Sequence, residues 1–239
     1  MKFSKSVVAS LVGIATLAGT MQGVYAADGL PSEGNSKAVV SFIAGTGPVA
    51  PIDPTDPMNP LLPPKPTDPT DPPTGNTGSL TLDYVSSVEF GTNDISNKTE
   101  VYSAKSKKPF IQVSDRRGTG EGWTVTAKAS KFSNGSNETL LGAVLTFKNG
   151  SVISNSLGGS PNPTQTVTLN TDGSTISPVV SASPGNGLGT WLTSWLGLNP
   201  DVNDGALNNN VTLTIPAGSA TVGNHETTIT WTLTDAPGV

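Results

Sequence analysis

Across 239 residues the chain carries 13 lysines and arginines against 18 aspartates and glutamates, one histidine and no cysteine. The missing cysteine rules out a disulfide framework, thiolate zinc sites and cysteine nucleophiles. The acidic balance, with a pI near 4.7, makes a poor partner for nucleic acid, which demands a surplus of Lys and Arg.

Residues 1–26 read as an export leader: Lys2 and Lys5, then an apolar run from Val7 to Ala18 too short to span a bilayer, then a small-residue cleavage pattern at Val24-Tyr25-Ala26. Processing would start the mature chain at Ala27 and move the net charge from -5 to -7. A cysteine-free exported chain whose polar surface is Thr, Ser and Asn, with only 13% charged residues, fits a Gram-positive cell surface, and such uncharged polarity suits contact with carbohydrate.

Residues 27–47 hold one strand-like run, Ala38-Val39-Val40-Ser41-Phe42-Ile43-Ala44. It either pairs with the domain that follows or stands apart from it. Residues 48–78 are Pro-rich, and Asp53-Pro-Thr-Asp-Pro57 recurs as Asp68-Pro-Thr-Asp-Pro72. Fixed φ and missing N–H donors keep such a segment out of a sheet interior, so it reads as a solvated polyproline II spacer rather than a ligand for a proline-reading partner.

Residues 79–239 are long enough for one sizeable core. Apolar residues alternate with Thr at Leu80–Val85, Trp123–Ala127, Leu145–Phe147, Val167–Leu169, Val211–Ile215 and Ile229–Leu233. That period puts hydrophobes on one face and hydroxyls on the other. Turn signals at Asn134-Gly135, Asn149-Gly150 and Asp172-Gly173 punctuate the runs. The pattern predicts an all-β, antiparallel β-sandwich or barrel-like domain. One segment breaks the period: Leu188, Trp191, Leu192, Trp195 and Leu196 fall on a helical stripe, which predicts one short helix ended by Pro200 and a turn over Asp201–Gly205. The final strand, Ile229–Leu233, is followed by so few residues that we expect neither a covalent wall-sorting tail nor a membrane stop.

Candidate chemistry is sparse. His225 is the lone histidine, and neither a Gly-x-Ser-x-Gly elbow nor a His-Glu-x-x-His motif occurs, so no catalytic residue, metal site or cofactor is expected. Asp115 and Glu121 bracket the approach to Trp123, an arrangement that resembles sugar-hydrolysing carboxylates but reads better as a loop in which Asp115 pairs an arginine. Asp201-Val-Asn203-Asp204-Gly205 lacks the spacing and closing Glu of a calcium loop. The Asn-x-Ser/Thr triplets at Asn97, Asn134, Asn149 and Asn210 reflect composition. The tryptophans are the main constellation. Trp123 and Trp231 sit in alternating strands, where an inward indole is core. Trp191 and Trp195 sit on the predicted helix, capping the sandwich or presenting a patch to a partner.

Together these runs resemble the WxL-domain surface proteins of Gram-positive bacteria. The likeness rests on Ile229-Thr-Trp-Thr-Leu-Thr-Asp-Ala-Pro237, on Asp115-Arg-Arg-Gly-Thr-Gly-Glu-Gly-Trp123, and on the Asp-Pro-Thr-Asp-Pro segment after Ala-Val-Val-Ser-Phe. It covers nearly the whole mature chain. Two positions depart from the pattern: the proximal motif reads Trp123-Thr124-Val125, with Val for Leu, and His225 stands where relatives often carry Tyr. The resemblance implies non-covalent attachment to the cell wall with peptidoglycan as ligand. It also implies co-operation with other surface proteins of the same gene cluster, including a membrane-anchored one, and adhesion to host matrix; it implies no catalytic residues. Trp123, Trp191, Trp195 and Trp231 are the candidate ligand contacts.

Overall fold

A computed structural model describes residues 33–61, 68 and 71–236. The predicted leader, residues 1–26, and the last residue of the distal motif, Pro237, lie outside the described residues. The chain divides into two compact units, Met1–Ser41 and Phe42–Val239. In the first, residues 33–41 contain neither helix nor strand. The strand anticipated over 38–44 therefore does not form: its residues have β propensity but no ladder partner, and a strand exists only through its pairing.

In the second unit every pairing between named strands is antiparallel. One sheet runs in the order β1 (Leu80–Val85), β3 (Phe110–Asp115), β12 (Gly189–Ser194), β8 (Ser151–Ser154). A second runs β10 (Thr166–Asn170), β7 (Val144–Lys148), β13 (Asn208–Ile215), β2 (Glu100–Ala104), and a third β14 (Ile229–Thr234), β4 (Trp123–Ala129), β11 (Ser177–Ala182), β9 (Asn162–Pro163). A small hairpin, β5 (Phe132–Asn134) and β6 (Asn137–Thr139), turns through Gly135 at φ 63°. The sheets pack their apolar faces on a common core in a sandwich-like arrangement, not a closed barrel. The all-β expectation from the Thr alternation holds. β4 shows it most plainly, with Trp123, Val125, Ala127 and Ala129 buried and the residues between them turned outward.

The predicted helix is a correction. Among the described residues there is no helix; Trp191 and Leu192 of the stripe lie in β12, and Leu188, Trp195 and Leu196 flank it. Trp191 packs in the main core, while the next residue, Leu192, points through the opposite face into a second cluster with Tyr84 and Phe110. A strand buried on both faces loses its polar alternation, and its apolar run then falls on helical spacing by coincidence.

That second face is covered by the Pro-rich segment. Ile52 and Leu61 pack on Tyr84, Phe110 and Leu192. Gln112, fully buried on β3, accepts from Ile52 N (2.9 Å) and donates to Ala50 O (3.1 Å), so its amide stands in for a neighbouring strand. The two Asp-Pro-Thr-Asp-Pro repeats meet at Lys108: Asp53 pairs its Nζ at 3.3 Å, and Asp68 accepts its backbone N–H at 2.9 Å. Asp71 holds Ser87 through N–H and hydroxyl. The described part of this segment is thus a strap on the sheet rather than a free spacer. Pro is excluded from ladders, but side chains can satisfy the few amides that remain.

Candidate functional site

The two signature strands lie side by side. β14 pairs β4 in the register Thr230↔Lys128, Trp231↔Ala127, Thr232↔Thr126, Leu233↔Val125, Thr234↔Thr124. Period two therefore sends Trp123, Val125, Trp231 and Leu233 to the core side and the threonines to the opposite face. Ser181 of β11 stands opposite Thr124 and extends that face. The result is a hydroxyl-rich surface with Lys128 as its charged member along β4 and β14. Its rows are about 4.8 Å apart across strands and about 6.7 Å apart along them.

All four tryptophans contribute to the core. Trp123 is 0% exposed and donates from Nε1 to Gly187 O at 3.1 Å. Trp191 is 7% exposed and donates to Leu188 O at 2.9 Å. Trp195 is 1% exposed, and its Nε1–H finds no acceptor among the described residues. Trp195, Trp231 and Phe147 form one aromatic cluster with ring centroids 5.0 to 6.0 Å apart. Trp231 alone of the four is only partly buried. Three of the four indoles thus have no face to offer a ligand without unfolding.

Trp231 borders a slot of about 820 Å³. Its floor is apolar, with Leu145, Leu213 and Ile215, and its walls are Tyr102 on β2, Ile229 and Trp231 on β14, the 86–95 loop and the 220–228 loop. β2 and β14 are each the last strand of their sheet. Four carboxylate residues line it (Asp71, Glu89, Asp94 and Glu226), with no Lys or Arg among the lining residues described. His225 borders the slot with both ring nitrogens engaged, Nδ1 with Thr139 Oγ1 at 2.9 Å and Nε2 with Thr221 O at 2.8 Å. Because a carbonyl can only accept, Nε2 carries a proton, and a neutral ring takes the Thr139 hydroxyl proton at Nδ1.

The carboxylates that bracket Trp123 are occupied. Arg117 grips Asp115 through Nη2 (2.7 Å) and Nε (3.0 Å), reaches Gly122 O, and lies 3.4 Å from Glu121. Its guanidinium is held further on the protonated side, first by its hydrogen bonds to Asp115. The arginine-paired loop is therefore what forms there. The 201–205 turn has a partner that sequence reasoning missed: Lys107, fully buried, donates to Val202 O (2.8 Å) and Asp204 Oδ1 (2.7 Å). No group of three or more His, Asp or Glu suited to a metal ion occurs among the described residues. The outward threonines were legible in the alternation. The slot was not, because it arises from two sheet edges far apart in sequence.

No curated protein and no solved structure matches this chain. A family model does, that of the WxL domain, described as surface cell wall-binding, over residues 30–237. The matched span takes in the fourteen strands of the described residues and both paired signature motifs. The chain belongs to the WxL family of surface, cell-wall-binding domains.

Proposed function

We propose that this is an exported protein held non-covalently on the cell wall, with peptidoglycan as ligand and the outward face of β4 and β14 as the contact surface. The observation that carries the reading is the register of the two signature strands. It aligns Thr126 with Thr232 and Thr124 with Thr234 on one face, in a chain whose family binds cell walls. Hydroxyls at fixed spacing with little charge suit hydrogen bonding to a neutral glycan. The reading is of binding without turnover. The alternative in which Trp191 and Trp195 present a patch to a surface protein or host matrix loses its motive, since both indoles are buried.

The test is co-sedimentation of the chain from Ala27 onward with purified peptidoglycan. Wild type should sediment above a control protein, and a triple variant Thr126→Val, Thr230→Val, Thr232→Val should not, while melting as wild type does. Val keeps the β-branched shape and removes only the hydroxyl. No sedimentation of wild type sinks the peptidoglycan reading; undiminished sedimentation of the triple variant moves the contact elsewhere. Reducing ends released from the same wall preparation would instead indicate hydrolysis.

A further inference from the structure

Two features of this chain are incomplete in complementary ways. The first is the run Ala38–Ala44. Val39 and Val40 stand 89% and 72% exposed, and Phe42 and Ile43 stand 88% and 96% exposed, in a segment with no strand partner. Four large apolar side chains among seven residues, three of them β-branched, are what a sheet strand carries, and left bare they invite pairing with another chain. Just downstream the chain is fixed, Gly45 N donating to Arg116 O at 3.3 Å.

The second is the slot. Along β4 the inward residues are buried to 1% or less, but on β14, one strand further out, Ile229, Trp231 and Leu233 are only partly buried. The core thus loses cover where the slot opens, between two strands each hydrogen-bonded to a strand on one side only; β1 approaches β14 on its other side, and Glu89 O of the 86–95 loop accepts from Lys105 N at the end of β2. Such a position accepts an added strand, with main-chain pairing along the edge and alternate side chains filling the apolar floor. Lengths agree: seven extended residues span about 23 Å, and the six of β14 about 20 Å. Charges agree as well. Lys37 immediately precedes the run, while Glu89, Asp94 and Glu226 stand at the slot. Lys105, the cation packed against Gly91 of the 86–95 loop, leaves that balance acidic.

We propose that residues 38–44 are a donor strand, and that they occupy the slot between β2 and β14 of a second copy of this chain. Donor and acceptor are different surfaces of one molecule, so the contact is heterologous and propagates from copy to copy unless it closes.

The experiment uses the chain from Ala27 onward. Light scattering after gel filtration, over a range of concentrations, should give at least twice the single-chain mass for wild type and the single-chain mass throughout for the double variant Phe42→Asp, Ile43→Asp. Both side chains are exposed, so the variant should melt as wild type does. A fluorescent peptide of residues 36–45 should bind that variant saturably, and a scrambled peptide should not. The chain has no cysteine, so mixing an Ile43→Cys chain with a Thr232→Cys chain should give a disulfide-linked pair, and mixing it with a Ser174→Cys chain should not. Any of three results overturns the proposal: a double variant that still associates, a wild type that stays single-chain and binds no peptide, or a single-chain wild type whose 38–44 amides resist exchange, which would place the strand in its own slot.

Discussion

Replacing Trp123 separates a core role for the signature tryptophan from a ligand role. The indole is fully buried, packs in the main cluster and donates to Gly187 O at 3.1 Å. A buried Trp covers some 150–250 Å², and truncating it to Ala costs about 3–5 kcal/mol including the cavity. Gly187 O then loses its donor in a closed site, adding about 1–3 kcal/mol. The expected loss of about 4–8 kcal/mol compares with about 5–15 kcal/mol of total stability for a domain, so Trp123→Ala should be marginally folded or unfolded. Trp123→Phe keeps most of the ring and loses the hydrogen bond, and should cost about 1–3 kcal/mol. Urea denaturation followed by far-UV circular dichroism reads both, and peptidoglycan co-sedimentation of the same samples should track the folded fraction. If Trp123→Ala loses less than about 1 kcal/mol yet no longer binds wall, the indole contacts ligand and the core argument is refuted.

Three further outcomes follow from local geometry. Gly187 has φ 77°, and a Cβ there would stand 2.5 Å from both Trp123 Nε1 and Ala182 Cβ. Gly187→Ala should therefore cost more than about 2 kcal/mol in chemical denaturation, whereas Gly173→Ala, with φ 79° and nothing within 4 Å, should cost only about 1 kcal/mol. Gln112→Ala strips the partners from Ile52 N and Ala50 O and one donor from Asp83; it should cost about 2–4 kcal/mol and speed amide exchange at Ile52 and Leu61 while the β4 amides stay protected. Asp204 is held below its ordinary value of 3.8, first by the Lys107 ammonium and then by the Ala206 N–H. A depressed folded pKa contributes stability that is present above the unfolded value and lost as pH falls through the folded one. Melting temperature should therefore drop below about pH 4 in wild type, and Asp204→Asn should flatten that decline.

The sheets were legible wherever one face is core and the other solvent, because Thr alternation then reports orientation directly. Trp123–Ala127 and Ile229–Leu233 fall in strands for this reason. The reading failed where that condition fails. β12 is covered by core on one side and by the Pro-rich strap on the other, so Trp191 and Leu192 are both buried and the run imitates a helix. The strap reads as a spacer because composition reports what Pro cannot do in a ladder, not what a buried Gln112 and a half-buried Lys108 can do for the chain around them. Lys107 illustrates the same blindness. A buried lysine is rare unless paired, and its partners lie 95 and 97 residues away.

A motif named for Trp and Leu invites the assumption that those residues bind. Their orientation argues otherwise. In both signature strands the named positions point inward: Val125 stands where Leu gives the family its name and is fully buried against Leu233's strand, so the substitution preserves an apolar core site. His225 spends both ring nitrogens on Thr139 and Thr221, tying the 220–228 loop to β6. A signature made of inward-facing residues, fully buried on β4 and partly buried on β14, fits the pairing of the two strands. What that pairing turns outward, at the x of each motif, is Thr124 and Thr232.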